Sequence, residues 1–254
     1  MSEFGPKAYG PATEILPMFP LGTVLVPGMP LALQIFEPRY RQMMSDLLAG
    51  SIAAGPIFGV VALRAGWEVG ELGDVHEVGT TARATDVRAR SDGRYELEAV
   101  GERRFVIESL DTTSEPYLQA SVRYLDEPDG ALDDHASVTA RLAWRDHLQA
   151  LERLGALDPS AVGPDDEVSI EGHVSGDGTG DDPVPLIAGR PLSYTIAQLP
   201  TLPLSDRQRL LSAADTATRL AEATRVLRRE TTLVRRLHAV PATAASFRLA
   251  ISAS

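Results

Sequence analysis

Apolar and polar positions divide this chain into a strand-like first half and a helical second half. Ile15–Phe19, Thr23–Val26 and Leu31–Phe36 are apolar runs that read as short strands, separated by Pro20, Pro27, Gly28 and Pro30. Proline cannot donate to a ladder, so these prolines belong at strand ends or edges. The period then changes. Tyr40, Met43, Met44, Leu47 and Leu48 fall at helical spacing, Pro38 suits a first helical position and Gly50 suits a stop, which predicts a helix over 38–49. Ile57–Leu63 reads as a buried strand and 75–125 as antiparallel sheet. There Asp92-Gly93 suggests a two-residue hairpin turn, and Gly101 with Glu102, Arg103 and Arg104 a second turn. Phe105 and Ile107 then share the inner face of the next strand, and Leu118–Leu125 forms the last one.

Beyond residue 126 the period is helical. Val138, Leu142, Leu148, Leu151 and Leu154 fit one amphipathic helix, and Tyr194–Leu199 fits one or two helical turns. Ser205-Asp206-Arg207-Gln208 has the form of a capping box. From it a single long helix is predicted, with Leu210, Ala214, Ala217, Ala221, Thr224, Leu227, Thr231, Val234 and Leu237 on one side. The expected fold class is α+β. The expected organisation is a flexible tail at 1–13, a β subdomain at 14–130 and a helical subdomain at 131–254, with a flexible Gly-, Pro- and Asp-rich insertion at about 155–190.

Charge refines this picture. The net charge of −11 argues against general nucleic-acid binding and against docking on anionic membranes. It is unevenly spread: residues 126–182 carry a net −12 and residues 207–238 a net +5. The bland reading is a solvated loop near a solvated helix face; the sharper one is an arginine surface for an acidic partner. There is no cysteine, no basic-then-apolar leader layout and no apolar run long enough to span a bilayer, so a soluble cytoplasmic protein is expected.

Catalytic chemistry is sparse. Lys7 is the only lysine, and it lacks both the Gly-rich loop of a nucleotide site and the setting of a Ser-Lys dyad. Gly176-Asp177-Gly178-Thr179-Gly180 is followed by Asp181-Asp182-Pro183, whose carboxylates would repel a phosphate. Asp177, Asp181 and Asp182 lack the spacing of a calcium loop, and His76, His135, His147, His173 and His238 lack that of a metal set. No cofactor, no metal and no catalytic residue is expected.

Leu16–Tyr40, LPMFPLGTVLVPGMPLALQIFEPRY, resembles the opening signature of the Lon protease N-terminal, substrate-binding domain. The likeness continues through Ile57-Phe58-Gly59-Val60-Val61, Gly79-Thr80, Ser91-Asp92-Gly93-Arg94 (the family often has proline at the Ser91 position), Gly101–Ile107 in the form G-x-x-R-F-x-I, Ser193–Leu199 and Leu202–Gln208. It covers about 14–238 apart from the acidic insertion. The resemblance implies a PUA-like β-barrel followed by a helical subdomain. It also implies a non-enzymatic module that binds unfolded or exposed polypeptide, or a protein partner such as a proteolytic machine. Lon's own ATPase and protease chemistry both need a lysine that this sequence does not place.

Phe36, Glu37, Arg39, Tyr40 and Arg104 are the candidate binding residues. Helix-start chemistry alone also accounts for Glu37-Pro38-Arg39-Tyr40. Arg104 is expected either to pair with Glu37 or to contact a ligand, and Phe105 to be core. Two rival readings are a small-ligand protein or enzyme on the same scaffold, since fold does not fix function, and RNA binding.

Overall fold

The computed structural model describes residues 14–50, 56–64, 74–155, 184 and 186–237. The tail at 1–13 and most of the insertion at 155–190 lie outside the described residues. Two compact units form: Met1–Glu127 with Arg207–Ser212, and Pro128–Asp206 with Ala213–Ser254. The division therefore follows Glu127, and Arg207–Ser212 groups with the first unit, whereas sequence reading placed all of 131–254 together. Hydrogen bonds explain the grouping: Arg207 Nη2 donates to the Val24 carbonyl at 2.9 Å and Gln208 Nε2 to the Val78 carbonyl at 2.9 Å.

The first unit contains β1 (Glu14–Leu21), β2 (Pro30–Ile35), α1 (Pro38–Gly50), β3 (Ile57–Ala62), β4 (Val78–Ala89), β5 (Tyr95–Asp111) and β6 (Gln119–Tyr124). The sheet order is β2-β5-β4-β3-β1-β6, and β5 also pairs with β6. That extra pairing closes a ring of five strands, with β2 attached outside it. All pairs are antiparallel except β1 with β3. Register shifts in the β4–β5 and β5–β6 ladders supply the local bending that ring closure demands.

No turn forms at Gly101–Arg104; β5 runs straight through. On one side it pairs with β4 along its length from Tyr95 to Val106, while on the other it pairs with β2 over Tyr95–Val100 and with β6 over Phe105–Asp111. The charged trio marks this exchange of partners, which local sequence cannot distinguish from a turn. Gly101 makes the exchange possible. Its N–H donates to Met29 at 2.9 Å, its carbonyl accepts from Gly28 at 2.8 Å, and a Cβ there would lie 2.3 Å from the Val26 carbonyl oxygen.

Thr23–Val26 is likewise not a strand, although Val24, Leu25 and Val26 are buried. Two of its carbonyls are taken by side chains, from Thr80 Oγ1 to Leu25 at 2.8 Å and from Arg207 to Val24, and the Val26 carbonyl accepts from Met29 N at 3.1 Å. The hairpin turn has three residues rather than two. Gly93 N donates to Arg90 O at 2.9 Å and Arg90 N to Arg94 O at 2.8 Å, with Gly93 at φ 79°. This is a turn followed by a left-handed glycine.

Two apolar clusters fill the unit. One joins Tyr40, Met43 and Met44 of α1 to Phe19, Phe58 and Leu97. The other gathers Leu16, Met18, Val61, Phe105 and Val122. β3 contributes Phe58 and Val60 to the first and Val61 to the second, which is why its sequence is continuously apolar.

The second unit contains α2 (Asp134–Arg153), α3 (Gly189–Ala197) and α5 (Thr216–Leu237); α4 (Leu204–Leu211) is shared between the units as divided above. The predicted face of α2 is buried only in part: Leu151 is buried and Leu154 packs beside it, as expected. Val138 and Leu142 are exposed, while Ala140, Ala143, Trp144, His147, Ala150 and Leu151 are buried. Small alanines let helices approach closely, and a reading weighted toward large aliphatics misses that face. The single long helix is also two. Asp215 accepts from Thr218 N at 2.7 Å, and the Thr216 and Ala217 amides donate to the Pro128 and Asp129 carbonyls, so a new helix is capped at Thr216. The capping box does not form either, because α4 starts at Leu204 and the Gln208 amide is committed to Val78.

The arginines of 207–238 are largely spoken for. Arg207 and Arg219 are buried, Arg225 pairs with Glu222, Arg229 with Asp206 and Glu230, and Arg235 with Asp146. His147 is fully buried, with Nδ1 3.3 Å from Thr231 Oγ1 and Nε2 3.2 Å from Thr201 Oγ1. Burial pushes its imidazole down to about 4, against a smaller upward pull from Asp146.

Two outcomes follow from these placements. Gly101→Ala is expected to cost about 1–3 kcal/mol in urea denaturation, because the methyl meets backbone rather than a yielding side chain. The unfolded chain protonates His147 more readily than the folded one. The His147 contribution to stability is therefore complete above about pH 6.5 and is lost, by roughly 3 kcal/mol, as the pH falls from there to about 4. His147→Gln should flatten that dependence when denaturation is followed across the range.

Candidate functional site

β2 ends at Ile35 and α1 begins at Pro38, so Phe36 and Glu37 form a tight corner of the first unit. Ile35 is buried and anchors the corner from below; Phe36 is 47% exposed. The Glu37 carbonyl accepts from Tyr40 N at 3.1 Å and Arg41 N at 3.0 Å, which opens α1. The Glu37 carboxylate holds Arg39 through both Nε (2.9 Å) and Nη2 (2.8 Å). The Arg39 guanidinium also lies 4.7 Å from the centre of the Tyr40 ring. Tyr40 is 5% exposed and stacks on Phe19 with centroids 4.1 Å apart and planes at 15°. Burial pushes its phenol up; Arg39 pulls it down and Glu37 raises it further. The phenol is therefore neutral near pH 7, and the Glu37–Arg39 ion pair lies beside it.

The five candidates thus divide. Phe36, Glu37 and Arg39 share the corner, with Tyr40 as the buried post that carries Arg39. Arg104 serves elsewhere in the unit. It is 1% exposed, and its Nε donates to Glu127 at 2.5 Å, Nη1 to the Leu211 carbonyl at 2.6 Å and Nη2 to the Asp126 carbonyl at 3.2 Å. Its ion pair is with Glu127, and that of Glu37 is with Arg39. Phe105 is fully buried, as expected for a core residue.

Sequence reading missed two features. One is the pairing of Arg104 with Glu127, 23 positions later, for which no local pattern exists. The other is β2 as the terminal strand of the sheet. Its signal was present in a short apolar strand that begins at Pro30. Among the described residues no three His, Cys, Asp or Glu side chains come together as a metal site, and no helix is long and apolar enough to cross a membrane.

The closed five-strand ring and the helices make an α+β fold. The family model of the ATP-dependent protease La (Lon) substrate-binding domain matches residues 15–229, and the chain belongs to that family. It is 32% identical over 114 residues to a Lon protease of Flavobacterium johnsoniae, across 44% of this chain and 13% of that protein. It is 36% identical over 112 residues to Lon protease 4 of Sorangium cellulosum, across 43% of this chain and 13% of that protein. The match thus spans about an eighth of the length of these curated relatives. Two solved structures share the fold. A Lon N-terminal domain protein from Xanthomonas campestris superposes with TM-score 0.54 at 24% identity, over 82% of this chain and 96% of that one. The N-terminal domain of a Mycobacterium avium complex Lon protease superposes with TM-score 0.52 at 18% identity, over 86% and 98%.

Removing the Arg104 guanidinium strands its acceptors, so Arg104→Met should cost on the order of 3–5 kcal/mol in denaturant unfolding. Glu127→Gln should cost less, since the Glu127 side chain is 24% exposed and keeps an acceptor oxygen.

Proposed function

We propose that this chain is a non-enzymatic module that recognises exposed segments of other polypeptides, for handling by a partner such as a proteolytic machine. The observation that carries the reading is the match of a substrate-binding family across residues 15–229. The composition agrees with it: Lys7, the only lysine, has neither the Gly-rich loop of a P-loop nor the setting of a Ser-Lys dyad. The corner at Phe36, Glu37 and Arg39 is its contact surface, where an exposed aromatic stands beside a held guanidinium. Tyr40 and Arg104 act from within, as supports of the corner and of the unit respectively. An aromatic ring and an arginine are the side chains that most often anchor protein–protein contacts.

The test is a titration of the full chain with a fluorescent, permanently unfolded polypeptide, using its folded parent as control. Saturable binding of the unfolded form alone is expected; equal binding of both forms, or of neither, refutes the reading. Phe36→Ser should weaken that binding by about tenfold, the loss of one well-packed anchor. Because Phe36 is half exposed, its thermal midpoint should stay close to that of the parent.

A further inference from the structure

β2 is an open sheet edge with unusual composition. Its one ladder partner is β5, and among the described residues no further backbone hydrogen bond reaches Pro30–Ile35. Half of its backbone N–H and C=O groups therefore point away from the sheet. Natural edges are commonly blunted by charge, bulges or interior prolines. β2 reads Pro-Leu-Ala-Leu-Gln-Ile, with no charge and its proline at the first position only. The β4–β5 and β5–β6 ladders have register shifts, whereas β2 pairs with β5 without one.

We propose that β2 accepts an extended polypeptide as an added strand, which names the binding mode of the site proposed above and rests on that reading. The two faces of β2 set the chemistry of the occupant. Leu31 and Leu33 are half-buried against the cluster that holds Tyr40 and Phe58, so residues on the inner face of the guest would be apolar and extend that cluster. Ala32 and Gln34 are exposed and stand opposite Glu98 and Glu96 of β5. Glu96 is already held by Arg90, whereas the Glu98 side chain is 64% exposed with Arg88 4.0 Å away, so Glu98 is the carboxylate a guest would meet. A guest strand lies about 10 Å from β5, two strand spacings, within reach of a long basic side chain. The outer residues of the guest would therefore be basic or neutral rather than acidic. Phe36 and the Glu37–Arg39 pair stand just past the end of β2, where they would flank the guest strand. Backbone pairing supplies affinity without demanding a sequence, and alternate side chains supply the preference.

The experiment uses the full chain and a short peptide alternating valine and arginine, with a valine–glutamate peptide as control. Two further versions of the first peptide carry N-methyl groups on one or the other alternate set of amides. N-methylation removes a donor and leaves the side chains intact. The valine–arginine peptide should bind at least about tenfold more tightly than the valine–glutamate one. One methylated version should lose at least about tenfold in affinity while the other binds like its parent. If both methylated versions bind like the parent, strand addition is wrong. In that case continued binding of unfolded polypeptide leaves the recognition reading standing, and its absence removes both. Sedimentation that shows a dimer undisturbed by peptide would also overturn the proposal, because a second copy would then fill the edge.

Discussion

A buried guanidinium has five N–H donors and cannot shed its charge, so its surroundings must supply acceptors in fixed directions. Arg104 imposes that constraint on the first unit. It sits on β5, and its acceptors come from two separate places: the chain just after β6, through Asp126 and Glu127, and the end of α4, through Leu211. The strand, the exit from the sheet and a helical segment about a hundred residues away in sequence must all be in register for the charge to be tolerated. Arg207 and Gln208 reinforce the same segment by donating to Val24 and Val78.

That constraint falls where β5 changes partners. Before Gly101 it holds β2; from Phe105 onward it holds β6, and the ring closes. The exchange leaves β2 as a short apolar appendage on a closed ring. β2 has β5 as its one ladder partner, and among the described residues its outer edge is open. The corner at Phe36 inherits its position from this arrangement: Ile35 and Tyr40 are fastened in the core, and what lies between them is turned outward.

Residues of the Gly101–Ile107 segment meet these demands directly. In Gly101–Ile107, glycine permits a close backbone approach, arginine gathers the acceptors and phenylalanine fills the second cluster. Glu37-Pro38-Arg39-Tyr40 combines both kinds of role, since helix-start chemistry and an exposed aromatic–arginine pair occupy the same few residues. Sequence reading grouped Arg104 with the corner because charge and motif membership look alike in one dimension. Burial separates them.

Element type was legible wherever one local pattern dominated. The helix at Pro38–Gly50, the buried strand at Ile57–Ala62 and the split between a β half and an α half follow from apolar period, proline placement and glycine stops. The corner residues Phe36, Glu37 and Arg39 were legible as candidates for the same reason, because they stand where the period changes. The rest depended on partners distant in sequence. Thr23–Val26 loses its strand character to side chains from Thr80 and Arg207. Gly101–Arg104 stays extended because β6 replaces β2 beside it. α4 and α5 separate because Pro128, Asp129 and Asp215 cap a new start. Periodicity records which side of an element is apolar, and that much the amino-acid sequence determined. Which backbone groups found partners, which arginine was buried and which strand was left at the edge were decided only by the tertiary structure, because hydrogen-bond satisfaction depends on what the fold brings within reach.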